Sequence, residues 1–199
     1  MTAEILNTNI TRVNLDEVSP QMIDEFLRSI QKPAYRMASI STRSREDALD
    51  IVQDAMVKLL HNYSDKAVDE LKPLFYRILS SKLIDWHRKR QFRSKFHWIL
   101  GAQDDENNLI ENLATDLGLT IEETLEKEQQ MVALVTGLSD LSERQRQVII
   151  LHYWQDFSVQ ETANILNCSS GSVKTHLHRA RQMLKLNSEI MLTEDNHES

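Results

Sequence analysis

The sequence predicts an all-α protein made of two helical domains joined by a flexible acidic linker. Its 199 residues include only 4 Gly and 3 Pro. Apolar residues recur at i, i+3 and i+4 instead of in alternating β-branched runs, which favours helices over sheet. The segment 101–119 divides the chain, because it is rich in Asp and Asn and holds two of the four glycines. That composition is typical of a mobile linker.

The domain boundaries follow from where helical periodicity stops and resumes. We expect one helical domain at 21–98 and a second at 120–187, with the linker at 99–119. We expect an N-terminal extension at 1–20 and an acidic tail at 188–199.

Three amphipathic helices are predicted in the first domain. The first, "MIDEFLRSI", places its apolar stripe on Met22, Ile23, Phe26, Leu27 and Ile30. The second, "REDALDIVQDAMVKLLHNY", starts with acids that suit a helix N-terminus, and its inward positions are Leu49, Val52, Met56, Leu59 and Leu60. The third, "LFYRILSSKLIDWHRKRQ", has Pro73 in its first turn, and its inward positions are Phe75, Ile78, Leu79 and Leu83.

A bundle of about four helices is predicted in the second domain. "IEETLEKEQQMVALVTGL" is followed by "SERQRQVIILHYW", where Ser142 and Gln145 form a capping box. "VQETANIL" is a short helix with the small residue Ala163 facing inward. In the turn "NCSS", Asn167 tolerates a left-handed conformation and Ser169 or Ser170 caps the last helix.

The last helix has two faces of different chemistry. Its apolar face, at i, i+4, i+7 and i+11, consists of Val173, Leu177, Ala180 and Leu184. Its polar face consists of Lys174, Thr175, His178 and Arg179. This arrangement is that of a helix-turn-helix whose second helix enters the major groove of DNA. Other helical hairpins have similar patterns, so a purely structural hairpin is the alternative for this segment alone.

Charge is distributed unevenly in this acidic chain. The net charge is −7, yet residues 86–97 hold five Lys/Arg and residues 171–185 hold four, with no acid in either segment. Local positive charge of this kind serves phosphate binding, although such runs are also common on solvated helix faces.

Several classes of protein are excluded. No apolar stretch approaches the roughly 20 residues that cross a bilayer, and the N-terminus lacks a signal-peptide pattern, so we expect a cytoplasmic protein. The single cysteine, Cys168, makes no internal disulfide, and no Cys/His cluster has zinc spacing. No converging catalytic constellation is found. We therefore expect no enzyme activity, no cofactor and no metal.

Three segments together resemble the bacterial sigma-70 family, in its extracytoplasmic-function group. They are "DALDIVQDAMVKLL", "LFYRILSSKLIDWHRKR" and "LSERQRQVIILHYWQDFSVQETANILNCSSGSVKTHLHRARQML". The resemblance covers roughly residues 20–100 and 120–186. It implies a σ2 domain, a σ4 domain and no σ3 domain between them.

The resemblance also implies functional residues. The positions that would dock on the β′ clamp helices of core RNA polymerase are Asp50, Ile51, Val52, Gln53 and Asp54. Those that would contact the minus-ten element are Ser81, Asp85, Trp86, Arg88, Lys89 and Arg90. Arg93 and Lys95 continue the basic run, and Phe92 is a second aromatic that could stack on a base. Those that would contact the minus-thirty-five element are Ser172, Lys174, Thr175, His178, Arg179 and Arg181.

Two positions depart from the family pattern, and one has a second interpretation. Ser81 stands where the family usually has Asn, which affects base preference, and His176 replaces a common Arg, which weakens a phosphate contact and makes binding pH-dependent. Trp86 either stacks on an exposed base or belongs to the core.

The implied partners are core RNA polymerase, through its β′ clamp helices and β flap, promoter DNA and an anti-sigma factor, without direct membrane insertion. The promoter elements lie about 50 to 70 Å apart, and a linker of about 20 residues reaches at most about 70 Å. The rival interpretation is a helix-turn-helix transcriptional regulator that acts without polymerase. Such a regulator has no need of "DIVQDAM" followed by "RILSSKLIDWHRKR".

Overall fold

The computed structural model describes residues 19–63, 66–97 and 125–194, and every regular element in those ranges is helical. The first group consists of α1 (Pro20–Thr42), α2 (Arg45–Tyr63) and α3 (Val68–His97). The second consists of α4 (Leu125–Asp140), α5 (Glu143–Ile149) with a π-helical turn (Ile150–Trp154), α6 (Val159–Leu166) and α7 (Ser170–Glu194). The predicted all-α class and the two helical groups are confirmed. The predicted linker at 99–119 lies outside the described residues.

α1 is longer than the sequence predicted. Ser19 caps it, since its hydroxyl oxygen accepts a hydrogen bond from the Met22 amide at 3.3 Å, and Pro20 occupies the first turn. The helix then continues through Pro33, which has no amide hydrogen to donate. It ends at Thr42, and the capping residue Arg43 adopts the left-handed conformation with φ 55°. The prediction stopped near Ile30 and missed this second half.

The core of the first group matches most of the predicted inward positions. Phe75, Leu79 and Leu83 of α3 are fully buried, as predicted. Met22 and Leu49 were predicted to face inward and are exposed instead, by 47% and 38%.

One further prediction about a helix end was wrong. α3 begins at Val68, so Pro73 lies beyond its first turn. α7 runs to Glu194 and so extends into the segment that was predicted as an acidic tail.

The second group confirms the predicted turn chemistry. Ser158 accepts a hydrogen bond from the Glu161 amide while the Glu161 carboxylate accepts one from the Ser158 amide, which completes a capping box at α6. Asn167 takes the left-handed conformation with φ 49° and ends α6. Ser169 then accepts a hydrogen bond from the Ser172 amide at 3.1 Å and so caps α7.

The two groups lie directly against each other. The C-terminal half of α1 packs on α4 and α5, and α3 packs on α6. Buried apolar side chains of both groups form one continuous cluster. This packing places α2 and α7 away from the contact between the groups and leaves both with exposed outer faces.

Candidate nucleic-acid interface

The α6–α7 unit has the geometry of a helix-turn-helix. Val173, Leu177 and Ala180 are buried on the inner face of α7, and Ala163 of α6 is buried where the two helices approach. These four apolar residues fix the angle between the helices. The opposite face of α7 therefore points outward on a rigid support.

The outward face of α7 carries the predicted recognition residues. Lys174, Thr175, His178 and Arg179 are all exposed. Thr175 donates its hydroxyl to the Gly171 carbonyl at 2.9 Å, which leaves its oxygen able to accept a further hydrogen bond. The sequence pattern and the structure thus bring the same four residues together.

The two residues predicted near phosphates are held by neighbours. Ser172 is half-buried, with its hydroxyl oxygen 2.9 Å from that of Ser169. Arg181 is exposed, donates a hydrogen bond to the Tyr153 hydroxyl, and has its guanidinium carbon 5.4 Å from the centre of the Tyr153 ring. Tyr153, on the π-helical turn, orients this arginine, and the sequence offered no sign of that role.

His176 is half-buried on α7, two residues after Lys174. Partial burial, together with the charges of Arg179 and Arg144, lowers the pKa of His176 below its ordinary value of 6.5. Its Nδ1 atom is buried without a hydrogen-bond partner. The lowered pKa favours the neutral ring, which offers a phosphate less than the charged guanidinium of an arginine would, and it places any pH effect of this residue on the acid side of 6.5.

Some of the predicted docking residues lie on the outer face of α2, whereas others are buried on its inner face. Asp50, Gln53 and Asp54 are exposed, and Lys82 of α3 contacts Asp54 at 2.8 Å. Ile51 and Val52 are buried in the core and so are not available to a partner surface.

Two exposed apolar side chains were missed on this face. Leu49 and Val57 are exposed by 38% and 67%, and they flank Gln53 at i−4 and i+4. Both residues fall outside the set of α2 residues that are buried in the core. Their spacing relative to that set was the signal in the sequence that could have indicated their exposure. Together with the acidic residues between them, these two side chains give the outer face of α2 an exposed apolar and acidic character.

The basic part of α3 is divided between surface and core. Ser81, Asp85, Arg88 and Lys89 are exposed, and Arg88 lies 3.8 Å from Asp85. The side chains of Phe92, Arg93 and Lys95 lie outside the described residues.

Trp86 and Arg90 contact each other and other residues of the chain. Trp86 is half-buried against the core. The guanidinium carbon of Arg90 lies 5.2 Å from its ring centre, and Arg90 donates a hydrogen bond to the Thr42 carbonyl. Stacking of Trp86 on a base would require Arg90 to move from the ring.

Neither a metal cluster nor a membrane span is present in the described ranges. No group of three or more His, Cys, Asp or Glu side chains there could hold a metal ion. No helix in the same ranges is long and apolar enough to cross a membrane.

The fold and these surfaces define a helical protein of the helix-turn-helix class with a second face that exposes apolar and acidic side chains. Known proteins refine this class. The sigma-70 region 2 model matches residues 22–93, and the sigma-70 region 4 model matches residues 131–184.

Relatives of similar length support the same family. The RNA polymerase sigma factor YlaC of Bacillus subtilis is 30% identical over 167 residues, which cover 83% of this chain and 91% of that protein. SigV of the same organism is 29% identical over 153 residues, covering 76% of this chain and 82% of that protein. The fold resembles that of the sigma factor RpoE from Bartonella quintana, solved with the anti-sigma factor NepR. The TM-score is 0.62 at 22% identity, covering 84% of this chain and 98% of that one.

The chain therefore belongs to the sigma-70 family, in its extracytoplasmic-function group. It is an RNA polymerase sigma factor of transcription initiation.

Proposed function

We propose that the three surfaces divide the work of promoter recognition. The outer face of α2 docks on core RNA polymerase, the exposed face of α7 reads the minus-thirty-five element, and the exposed part of α3 contacts the minus-ten element. The single observation that supports this division best is the presence of both a recognition face and a separate apolar and acidic face in one chain. A regulator acting without polymerase needs only the first.

Docking through α2 has a plain physical basis. Leu49 and Val57 give up exposed apolar surface on contact, which favours binding by about 25 cal/mol per Å². Asp50, Gln53 and Asp54 between them supply charge and hydrogen bonds that select a partner with basic or polar side chains, such as the β′ clamp helices. Ile51 and Val52 hold the helix in place from the core side.

Recognition by α7 follows the chemistry of the major groove. Lys174 and Arg179 can donate to guanine N7 and O6, while Thr175 can contact a thymine methyl group or accept a hydrogen bond. Ser172 and Arg181, at the edges of the face, are suited to phosphate oxygens.

Contact of α3 with the minus-ten element uses the exposed side chains of its basic segment. Arg88 and Lys89 supply positive charge along the backbone path. The Ser81 hydroxyl both donates and accepts, but it is shorter than the Asn usual in the family. We expect Ser81 to make a base contact of changed preference.

The remaining features of the proposal come from the family. We assign the chain to the cytoplasm, where polymerase and promoter DNA lie, and we assign it no catalytic activity and no cofactor. Because the sigma factor RpoE was solved with the anti-sigma factor NepR, we propose that an anti-sigma factor also controls this chain.

The test is binding of the purified chain to core RNA polymerase, followed by run-off transcription of fragmented genomic DNA. We expect one-to-one binding and discrete new start sites whose upstream sequences share two elements. Lys174→Ala should reduce promoter use without reducing polymerase binding, whereas Lys32→Ala, the same change on exposed α1, should alter neither. Failure of the folded chain to bind polymerase would favour the polymerase-independent regulator.

A further inference from the structure

An ion pair joins α2 and α3 at the edge of the outer face of α2. The Nζ atom of Lys82 donates a hydrogen bond to Oδ2 of Asp54 at 2.8 Å. Lys58 lies four residues after Asp54, the usual spacing of an ion pair within one helix. The base that contacts Asp54 is nevertheless Lys82, 28 residues away on the neighbouring helix. The pair therefore results from the packing of α2 on α3 and not from local helix geometry.

The two side chains of this pair differ in exposure. The Lys82 side chain is 26% exposed, whereas the Asp54 side chain is 71% exposed. Lys82 lies one turn after the buried Ile78 and next to the buried Leu83, so its stem is largely covered by protein. A partner on the outer face of α2 would thus meet the Asp54 carboxylate, with the Lys82 ammonium behind it.

The pair leaves the carboxylate able to bind a further donor. Lys82 uses one of its two oxygens, Oδ2. An ionised carboxylate offers about four acceptor positions on its two oxygens. A basic or polar group of a partner can therefore bind Asp54 while Lys82 stays in place.

The contribution of Lys82 should be larger in docking than in folding. An exposed ion pair contributes little to stability in water, where both charges are well solvated. The same two charges interact more strongly once a partner surface excludes water and lowers the local dielectric constant. Loss of Lys82 should therefore affect a bound complex more than the free chain.

Two physical effects connect Lys82 to docking. Removing the Asp54 carboxylate from water is unfavourable unless its charge is compensated, and the Lys82 ammonium compensates it at 2.8 Å. The hydrogen bond also holds the carboxylate in one orientation before the partner arrives, so less side-chain freedom is lost on binding. Asp50 lies exposed one turn earlier on α2, and Lys82 offsets part of the repulsion between these two carboxylates.

We propose that Lys82 is a positioning residue of the polymerase-docking surface, which orients the Asp54 carboxylate and compensates its charge while Asp54 contacts a basic or polar group of polymerase. The proposal rests on the docking role proposed above for α2. It assigns Lys82 to the docking surface, although its neighbour Ser81 belongs to the minus-ten surface of the same helix.

The test measures the affinity of the full chain for core RNA polymerase by competition with a labelled copy of the unchanged chain. Lys82→Met should weaken binding about fivefold, the upper limit for an exposed ion pair. Lys82→Arg keeps a charged donor and should bind like the unchanged chain. Lys32→Met makes the same change in charge on exposed α1 and should have no effect.

A double-mutant cycle shows whether Lys82 acts through Asp54. Asp54→Asn removes the charge that Lys82 compensates and should weaken binding about fivefold by itself. Adding Lys82→Met to Asp54→Asn should cause no further loss. Independent losses, which would multiply to about 25-fold in the double variant, would overturn the proposal, because Lys82 would then act without Asp54.

Lys82→Gln guards against a Lys82→Met chain that does not fold. Its amide keeps a hydrogen-bond donor but carries no charge, so it should also weaken docking, since bonds between charged groups are the stronger ones. Circular dichroism shows which variants retain the helical fold. Full affinity of a folded Lys82→Met or Lys82→Gln chain would contradict the positioning role.

Promoter binding distinguishes docking from DNA contact. With polymerase in excess, the Lys82→Met holoenzyme should bind a promoter fragment as tightly as the unchanged holoenzyme. Normal polymerase affinity combined with weak promoter binding would place Lys82 on the minus-ten surface and overturn the proposal.

The Asp54→Asn variant separates failure of this proposal from failure of the proposed function. Weakened docking of Asp54→Asn with unchanged docking of Lys82→Met would leave α2 as the docking helix and exclude the role of Lys82. Unchanged docking of both variants would contradict the use of Asp54 by α2, and the role of Lys82 with it.

Discussion

Replacement of Arg146 by methionine should destabilise the protein more than any single change on its surface. Arg146 is 5% exposed and lies within hydrogen-bond distance of four main-chain carbonyl oxygens and the Glu143 carboxylate. Three of the carbonyls, those of Leu138, Ser139 and Leu141, lie at the end of α4 and in the turn after it. The arginine therefore caps one helix from the next one along the chain.

The size of the expected loss of stability follows from the groups that remain when the guanidinium is removed. The carbonyls lose their donors, and a largely buried carboxylate loses its nearest full positive charge. Removing one partner of a buried ion pair lowers the free energy of unfolding by about 3 to 5 kcal/mol. For a protein of this size, about 2 to 4 °C per kcal/mol converts that cost to a fall in Tm of about 6 to 20 °C.

Arg144 is a matched control two residues earlier on the same helix. It is exposed, and its Nη1 atom donates one hydrogen bond, to the Leu166 carbonyl at 3.1 Å. Arg144→Met should cost about 0.5 to 1.5 kcal/mol, the net value of one hydrogen bond. Arg146→Lys, which keeps the charge but not the planar fork, should fall between the two.

Urea unfolding followed by circular dichroism gives the free energies of unfolding for the three variants. Equal destabilisation by Arg146→Met and Arg144→Met would refute the reasoning, because it would mean that the buried guanidinium contributes no more than an exposed one.

Three further outcomes test the surfaces and the buried carboxylate. Lys174→Ala and Arg179→Ala should each cost about 1 to 3 kcal/mol in holoenzyme binding to promoter DNA; equal loss of polymerase binding in a competition assay would contradict the assigned role. Asp54→Lys should weaken polymerase binding about tenfold, or about 1.4 kcal/mol, while Glu25→Lys on exposed α1 should not; unchanged affinity would sink the docking assignment. Because the pKa of Glu143 is lowered on folding, the free energy of unfolding should fall as pH drops below 4.5; a Glu143→Gln variant with the same pH profile would exclude this carboxylate as a cause.

Local signals explain why the helix-turn-helix could be predicted from the sequence. Ser142 with Gln145, Asn167 with its left-handed backbone, and Ser169 as a cap each act within three or four residues. The apolar spacing of α7 then fixes which face is exposed. No long-range information was needed to find Lys174 and its neighbours.

The second half of α1 was missed because long-range packing outweighs a local cost. Proline inside a helix costs about 3 kcal/mol or more, and Pro33 argues for a helix end. The residues that follow, Ala34, Met37 and Ile40, are almost fully buried. Burial of two large side chains contributes about 1.5 to 3 kcal/mol each, enough to continue the helix.

The hydrogen-bonded contact around Glu143 could not be predicted because the residues of α5 that form it resemble a solvated helix start. "SERQRQ" is polar at every position, and its capping box accounts for only two of its residues. The burial of Glu143, Arg146 and Gln147 depends on Ser41, Ser80 and His87, which lie tens of residues away. A single sequence does not indicate which residues pair with each other across so large a separation.

The acidic character of the chain predicts that the recognition helix alone binds promoter DNA weakly. Lys174, Arg179 and Arg181 are the arginine and lysine side chains of the predicted recognition set on α7. If each neutralises one phosphate, the slope of log K against log salt is about −2.7, a loss of about 40-fold between 50 and 200 mM salt. A net charge of −7 adds long-range repulsion from DNA. We therefore expect the isolated chain to bind promoter DNA weakly at physiological salt, and we expect core polymerase to supply the affinity that the few charges of the recognition helix do not.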